Sequence, residues 1–171
     1  MSLWLAGCGP TNGLPPLTGE FLYIGNRDGK ISEFSINTAT GLLTNIGTFN
    51  IPLNIGEPDA VGAIGLVVHP TNEFIYAASD GVNGMLGFDI GDEGFSGTIF
   101  RQNSDVPSQL PAGYSWNAAV TPNGEFLYAT NVDAGLVSEY SINLTAGTPA
   151  ALNLKSGALT FLGTAPRSLS E

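Results

Sequence analysis

The sequence predicts an all-β fold made of one four-stranded sheet repeated about three times, a partial β-propeller, and three observations carry that expectation. First, Gly19-Glu20-Phe21-Leu22-Tyr23-Ile24-Gly25-Asn26, Asn72-Glu73-Phe74-Ile75-Tyr76-Ala77-Ala78-Ser79 and Gly124-Glu125-Phe126-Leu127-Tyr128-Ala129-Thr130-Asn131 are copies of one segment. Tyr23, Tyr76 and Tyr128 recur at intervals of 53 and 52 residues, a fixed period of the kind that marks repeat architectures. Second, each copy opens on a Gly or Asn turn and alternates as aromatic and β-branched strands do. Third, 23 Gly and 11 Pro in 171 residues leave little room for helices of ordinary size.

In chain order, residues 1 to 16 end in Gly9-Pro10-Thr11-Asn12-Gly13-Leu14-Pro15-Pro16, a run of breakers that reads as a tether. The first repeat then begins directly at Glu20 to Ile24, with no inner strand before it, continues through Lys30 to Ile36 and reaches a third strand at Leu42 to Thr48. The middle strand has matches in Met85 to Ile90 and Val137 to Ile142. Their first, fourth and sixth positions are apolar, which suits a strand buried on both faces between neighbouring sheets. Gly41-Leu42-Leu43-Thr44 is echoed in Gly157-Ala158-Leu159-Thr160, so the outer strand repeats as well.

Repeats two and three each carry a further strand, Ala63 to Val68 and Trp116 to Val120, ahead of the turn proline. Small residues such as Gly65, Ala118 and Ala119 suit a strand crowded against an axis. Each complete unit is thus a four-stranded antiparallel meander, and such sheets repeated around a channel form a β-propeller. Blades are expected at about 17–50, 62–101 and 115–164 within a propeller portion of 17–171, with the start of a further blade at 165–171. Phe49 to Gly62 and Arg101 to Ser115 are expected as long connections and Asn143 to Ser156 as an insertion; long loops of this kind are commonly functional.

Charge narrows the partners. Five basic against fifteen acidic residues give a formal net charge of −10, which argues against nucleic acid and against anionic membrane surfaces. Cys8 is the single cysteine, so neither a disulfide framework nor a zinc cluster can be built within the chain. Leu5-Ala6-Gly7-Cys8 resembles the end of a bacterial lipoprotein signal, with Cys8 the lipidated residue and the only route to a membrane; the alternative is a chance apolar tetrapeptide.

The Glu-Phe-Leu-Tyr strand, the strand following it and the Gly-x-Leu-Thr strand together resemble the seven-bladed lactonase-type β-propellers. That group includes 6-phosphogluconolactonase-like and carboxymuconate-cyclase-like proteins and is related to the YVTN-repeat surface proteins. The resemblance covers residues 17 to 171, while seven blades at this period require more than twice the length present. One histidine and five basic residues weigh towards a binding or assembly module, and Leu5–Cys8 towards the bacterial cell envelope or periplasm, its small-molecule or protein ligand unnamed; the alternative, which the resemblance implies, is a lactone hydrolase or a muconate-type cyclase. The matching residues build blades, so they name a fold and not an activity.

Candidate site residues are sparse. His69, the only histidine, is the obvious general base, yet it occupies the strand-end position that Thr121 fills in the next repeat. Opening a lactone requires hydrogen-bonding or cationic groups aimed at its carbonyl; Arg101 and Arg167, both on expected connections into inner strands, are the candidates among the bases. Tyr114 and Trp116 flank the opening of an inner strand and are expected at a pocket mouth or in packing between blades. Asn26, Asp80 and Asn131 end the second strand of each repeat and are expected to satisfy backbone groups of the next turn. Asp89, Asp92 and Glu93 supply oxygen ligands, but their spacing departs from that of a calcium loop. No metal or cofactor site is expected.

A three-blade arc leaves a sheet face and a strand edge open at its ends. The chain is therefore expected to associate with itself, as a homodimer closing a ring of six blades, with residues 165 to 170 serving as the inner strand of the partner's first blade.

Overall fold

A computed structural model of the chain describes residues 3–6, 19–51, 63–79, 84–91, 97–107, 115–131, 134–144 and 157–166. Among these there is no helix. The first sheet comprises β1 (Leu3–Ala6), β2 (Glu20–Asn26), β3 (Lys30–Ile36) and β4 (Leu43–Asn50), paired antiparallel in that order. The second contains β5 (Ala63–Val68), β6 (Phe74–Ser79), β7 (Gly84–Ile90) and β8 (Ile99–Pro107), and the third β9 (Ser115–Val120), β10 (Phe126–Asn131), β11 (Leu136–Ile142) and β12 (Leu159–Pro166).

The repeated sequence makes repeated local geometry. Between β5 and β6 the N–H of His69 bonds to Phe74 O and that of Asn72 to His69 O; between β9 and β10, Thr121 bonds to Phe126 O and Gly124 to Thr121 O in the same pattern. The residue closing each turn is left-handed, Asn72 at φ 62° and Gly124 at φ 75°, a region that Gly enters freely and Asn tolerates. The outer pair of strands carries a bulge at one position in every sheet, between Glu33 and Phe34, between Gly87 and Phe88, and between Glu139 and Tyr140. Such an extra residue adds local twist.

Two cores hold the sheets face to face. Phe21, Tyr23 and Ile31 of the first sheet meet Leu66, Ile75, Ala77, Leu86, Phe88 and Ile90 of the second. On the second sheet's other face, Val67, Phe74, Tyr76, Ala78 and Met85 meet Ala118, Leu127, Ala129, Tyr140, Ile142 and Leu159 of the third. The period-2 alternation of strands explains why β6 and β7 divide their residues between both cores. Phe21 and Phe74 are buried, whereas Phe126, at the matching strand position, is half-buried. Its face points away from both cores.

Three boundaries differ from those the sequence suggested. Residues 1 to 16 are not simply a tether: Leu3–Ala6 pairs with β2, from Leu3 opposite Ile24 to Ala6 opposite Phe21, so the first sheet has its inner strand. The apolar tetrapeptide supplies what the Pro-rich run after it cannot. Arg101 to Pro107 belongs to β8 and not to a connection; its polar residues read as loop, but an outer strand is held by its backbone ladder and tolerates them. Ala165 and Pro166 continue β12, opposite Val137 and Leu136, and do not begin another inner strand. Proline is tolerated there because β12 is an edge strand within its sheet.

Candidate functional site

Among the described residues, several polar side chains are buried between the sheets. Tyr23 is fully buried, and its hydroxyl donates to the carbonyl of Gly97 in the second sheet at 2.7 Å. Tyr76 repeats the arrangement one sheet on, donating to Gly157 O at 2.8 Å. Both acceptors have left-handed backbone, φ 90° at Gly97 and φ 79° at Gly157. The ring of Phe21 lies against Gly97 where a side chain would otherwise stand. Burial pushes both phenol pKa values up, with Glu33 adding to the effect on Tyr23 and Asp89 on Tyr76.

Glu33 lies opposite Tyr23 across β2 and β3 and is 2% exposed. Its carboxylate rests over Gly47 and accepts the N–H of Ile99, at 3.3 Å, from the neighbouring sheet. Burial pushes its pKa up to about 7, opposed in part by that hydrogen bond. An acid with such a pKa is suited to proton transfer near neutrality, but Glu33 sits between two sheets. It is placed to hold them.

His69 is likewise buried, at 1% exposure. Its Nε2 is 2.9 Å from Gly124 O in the turn of the third sheet, and its Nδ1 is 2.8 Å from Thr71 Oγ1 and 3.2 Å from the Thr71 backbone nitrogen. A carbonyl only accepts, so Nε2 carries the proton and Nδ1 is the acceptor. Burial lowers the pKa of the ring. Both nitrogens being engaged, His69 links two sheets and is not poised to take a proton from a substrate.

Several of the remaining predicted residues lie on described strands. Trp116 lies on β9 and is 50% exposed, so it does not serve as packing between blades. Arg101 lies on β8 opposite Asp89. Asn131 meets its expectation, accepting the Ala134 N–H of the following turn, while Asn26 instead donates to Ser32 Oγ at 2.9 Å. Arg167, Tyr114, Cys8, Asp80, Asp92 and Glu93 lie outside the described residues.

The third sheet carries an open groove of about 240 Å³ lined by Asn117, Ala118, Ala119, Tyr128, Ala129, Thr130 and Val137. Tyr128, at the register position of Tyr23 and Tyr76, is 40% exposed. Sequence reading placed the three tyrosines at one repeat position but missed that two of them, Tyr23 and Tyr76, donate hydrogen bonds to the next sheet. The signal was available: a Tyr and a Gly each recur at a fixed position of the repeat.

A scan against protein-family models and a search of curated proteins return no match. Solved structures do match. The periplasmic gluconolactonase of Pseudomonas aeruginosa aligns with a TM-score of 0.63 at 18% identity, over 84% of this chain and 36% of that one. A putative 6-phosphogluconolactonase of Bacteroides uniformis aligns at 0.58 and 22%, over 83% of this chain and 40% of that one. The Cps50 (Swd1) β-propeller domain of Myceliophteria thermophila aligns at 0.53 and 14%, over 72% and 37%. At these identities the likeness is one of fold: the chain is a partial β-propeller that spans well under half the length of the proteins it matches.

Proposed function

We propose that the chain is a three-blade portion of a lactone-hydrolysing β-propeller, its substrates sugar-type lactones. The observation that supports this reading is the match of most of the chain to a periplasmic gluconolactonase and to putative 6-phosphogluconolactonases. Hydrolysis adds water to the lactone carbonyl, breaks the ring C–O bond and leaves a hydroxy acid. It requires a base for the water and donors for the developing oxyanion.

The inner strands of these three blades read Leu-Trp-Leu-Ala, Ala-Ile-Gly-Leu-Val-Val and Ser-Trp-Asn-Ala-Ala-Val, with no ionisable side chain among them. On this reading they supply wall and shape, with exposed Trp116 available to stack on a sugar ring, while the acid and base groups come from loops or other blades. A pH-stat assay of the full-length gene product against gluconolactone and its 6-phosphate tests it. Acid release well above the spontaneous rate is expected; release at the spontaneous rate with both substrates rejects it.

The absence of ionisable groups from those strands favours a second reading, a binding or assembly module of the cell envelope or periplasm, tethered through a lipid on Cys8. Its test is labelling of the full-length product with a fatty-acid analogue. Label that is lost on Cys8→Ser supports the tether, and no label with the native cysteine overturns it.

A further inference from the structure

Asn-Gly occurs three times in the sequence, at Asn12-Gly13, Asn83-Gly84 and Asn123-Gly124, and the last pair lies wholly within the described residues. Asparagine is thermolabile, most of all before glycine, which puts no side chain in the way of its own backbone nitrogen. Asn123 is exposed at the tip of the β9–β10 turn, while Gly124 is buried against the His69 ring. The matching turn of the second sheet has Asn72 itself in the left-handed position and Glu73 after it, so the reactive pair is particular to the third.

Loss of the amide requires Gly124 N to reach Asn123 Cγ, and the turn restrains both groups. The Gly124 N–H donates to Thr121 O at 2.9 Å, closing a four-residue turn. Asn123 Oδ1 accepts from Thr121 Oγ1 at 2.6 Å and from the Glu125 N–H at 3.3 Å, and Nδ2 donates to Glu125 Oε2 at 2.7 Å. Thr121 is the common anchor: its carbonyl holds the nucleophile and its hydroxyl holds the amide. The carbonyl of the same Gly124 accepts from His69 Nε2 at 2.9 Å, the link between the second and third sheets.

We propose that Asn123–Gly124 is a self-modifying site that this turn keeps closed, with Thr121 as the restraint, and that its conversion to isoaspartate frees His69 from Gly124. When the turn opens, the Gly124 nitrogen gives its proton to solvent and attacks Asn123 Cγ; the Cγ–Nδ2 bond breaks, ammonia leaves and a cyclic imide remains. Water then opens the imide. Attack at Cγ gives aspartate, and attack at the main-chain carbonyl gives isoaspartate, whose backbone runs through Cβ and is one carbon longer. Either product sets a carboxylate beside Glu125 where an amide had donated to it. The longer backbone of isoaspartate also displaces Gly124 O from His69, loosening the second sheet from the third. The inference is independent of the proposed activity.

Incubating the 171-residue chain at mildly alkaline pH beside a synthetic peptide spanning Ala118–Leu127 tests it, with the exchange of amide for acid at Asn123 followed by peptide mapping. The folded chain is expected to convert about tenfold or more slowly than the peptide, because two or more hydrogen bonds must open first. Thr121→Val, which keeps the shape and removes the hydroxyl, is expected to speed conversion about fivefold or more. His69 is the only histidine, so its ring gives one unambiguous nuclear magnetic resonance signal. The Nε2 proton should exchange slowly with solvent in the unmodified chain and rapidly in the isoaspartate form separated by ion exchange. Conversion of the folded chain at the peptide's rate overturns the proposal, as does a Thr121→Val chain that converts no faster than the parent. A ring proton equally protected in the isoaspartate form overturns the link to His69. If Thr121→Val fails to fold by circular dichroism, Glu125→Ala, which frees the other end of the amide, decides in its place: no acceleration sinks the restraint.

Discussion

The hydroxyl of Tyr23 donates to the carbonyl of Gly97, 74 residues away and in another sheet, at 2.7 Å. The bond is buried, so losing the donor leaves a buried carbonyl without this partner. Tyr23→Phe and Tyr76→Phe are each expected to cost about 1–3 kcal/mol. Urea unfolding measures this, and a change within error at both positions would show that neither bond holds its sheets together.

Gly97 is needed twice over, by its backbone and by its neighbour. Its φ of 90° is one that side chains rarely adopt, and a Cβ would enter the ring of Phe21. Gly97→Ala is expected to cost roughly 3 kcal/mol or more, combining left-handed strain of about 1–2 kcal/mol with overpacking of about 1–3. Gly135, at φ 62° with nothing within 4 Å of a Cβ, isolates the first contribution. Thermal melts of Gly97→Ala and Gly135→Ala should differ clearly; equal losses would mean that Phe21 yields.

Glu33 makes stability depend on pH with a definite sign. Its folded pKa is raised from 4.5 to about 7, so the folded state holds a proton that the unfolded state has released. The contribution is fully present below pH 4.5 and is lost as pH rises towards 7. At about 1.36 kcal/mol per unit of pKa, the loss approaches 3 kcal/mol. Glu33→Gln keeps an acceptor for the Ile99 N–H and carries no charge, so its stability should vary less across that window. A variant that declines as steeply as the parent would assign the decline to another group.

His69 has the opposite sign. Burial lowers its folded pKa from 6.5, so its contribution is present above pH 6.5 and is lost as pH falls below it, when the unfolded chain takes up the proton. His69→Ala strands the Gly124 carbonyl and the Thr71 N–H, costs about 1–3 kcal/mol and should remove that acid-side slope. It should also leave any lactonase rate of the full-length product nearly unchanged. A rate loss beyond about a hundredfold, the lower end of what acid-base catalysis contributes, would restore His69 as a base.

Periodicity made most strands legible because a repeated blade imposes the same alternation and the same turn each time. Phe74 and Tyr76 could be assigned to one face of a strand from spacing alone. The strands at the inner and outer margins were harder. Leu3–Ala6 is too short and too close to prolines to announce itself, and β8 carries Arg101 to Asp105, whose polarity reads as loop. Both are strands because a backbone ladder beside them was ready to be extended.

What the sequence determined by itself was the three-fold repeat, the all-β meander and the strand faces, since each follows from local spacing that the backbone enforces at a period of two. Tertiary structure alone decided the meaning of the polar residues on those faces. Glu33 is a mid-strand acid in the sequence, and is a buried one because the N–H of Ile99 and the backbone of Gly47 meet it. Likewise His69 reads as a strand-end position shared with Thr121, and only the fold shows that Gly124 and Thr71 occupy its two nitrogens. Such partners lie in other sheets or across turns, and the low dielectric between packed faces, which gives each group its proton and its strength, exists only after the sheets have come together.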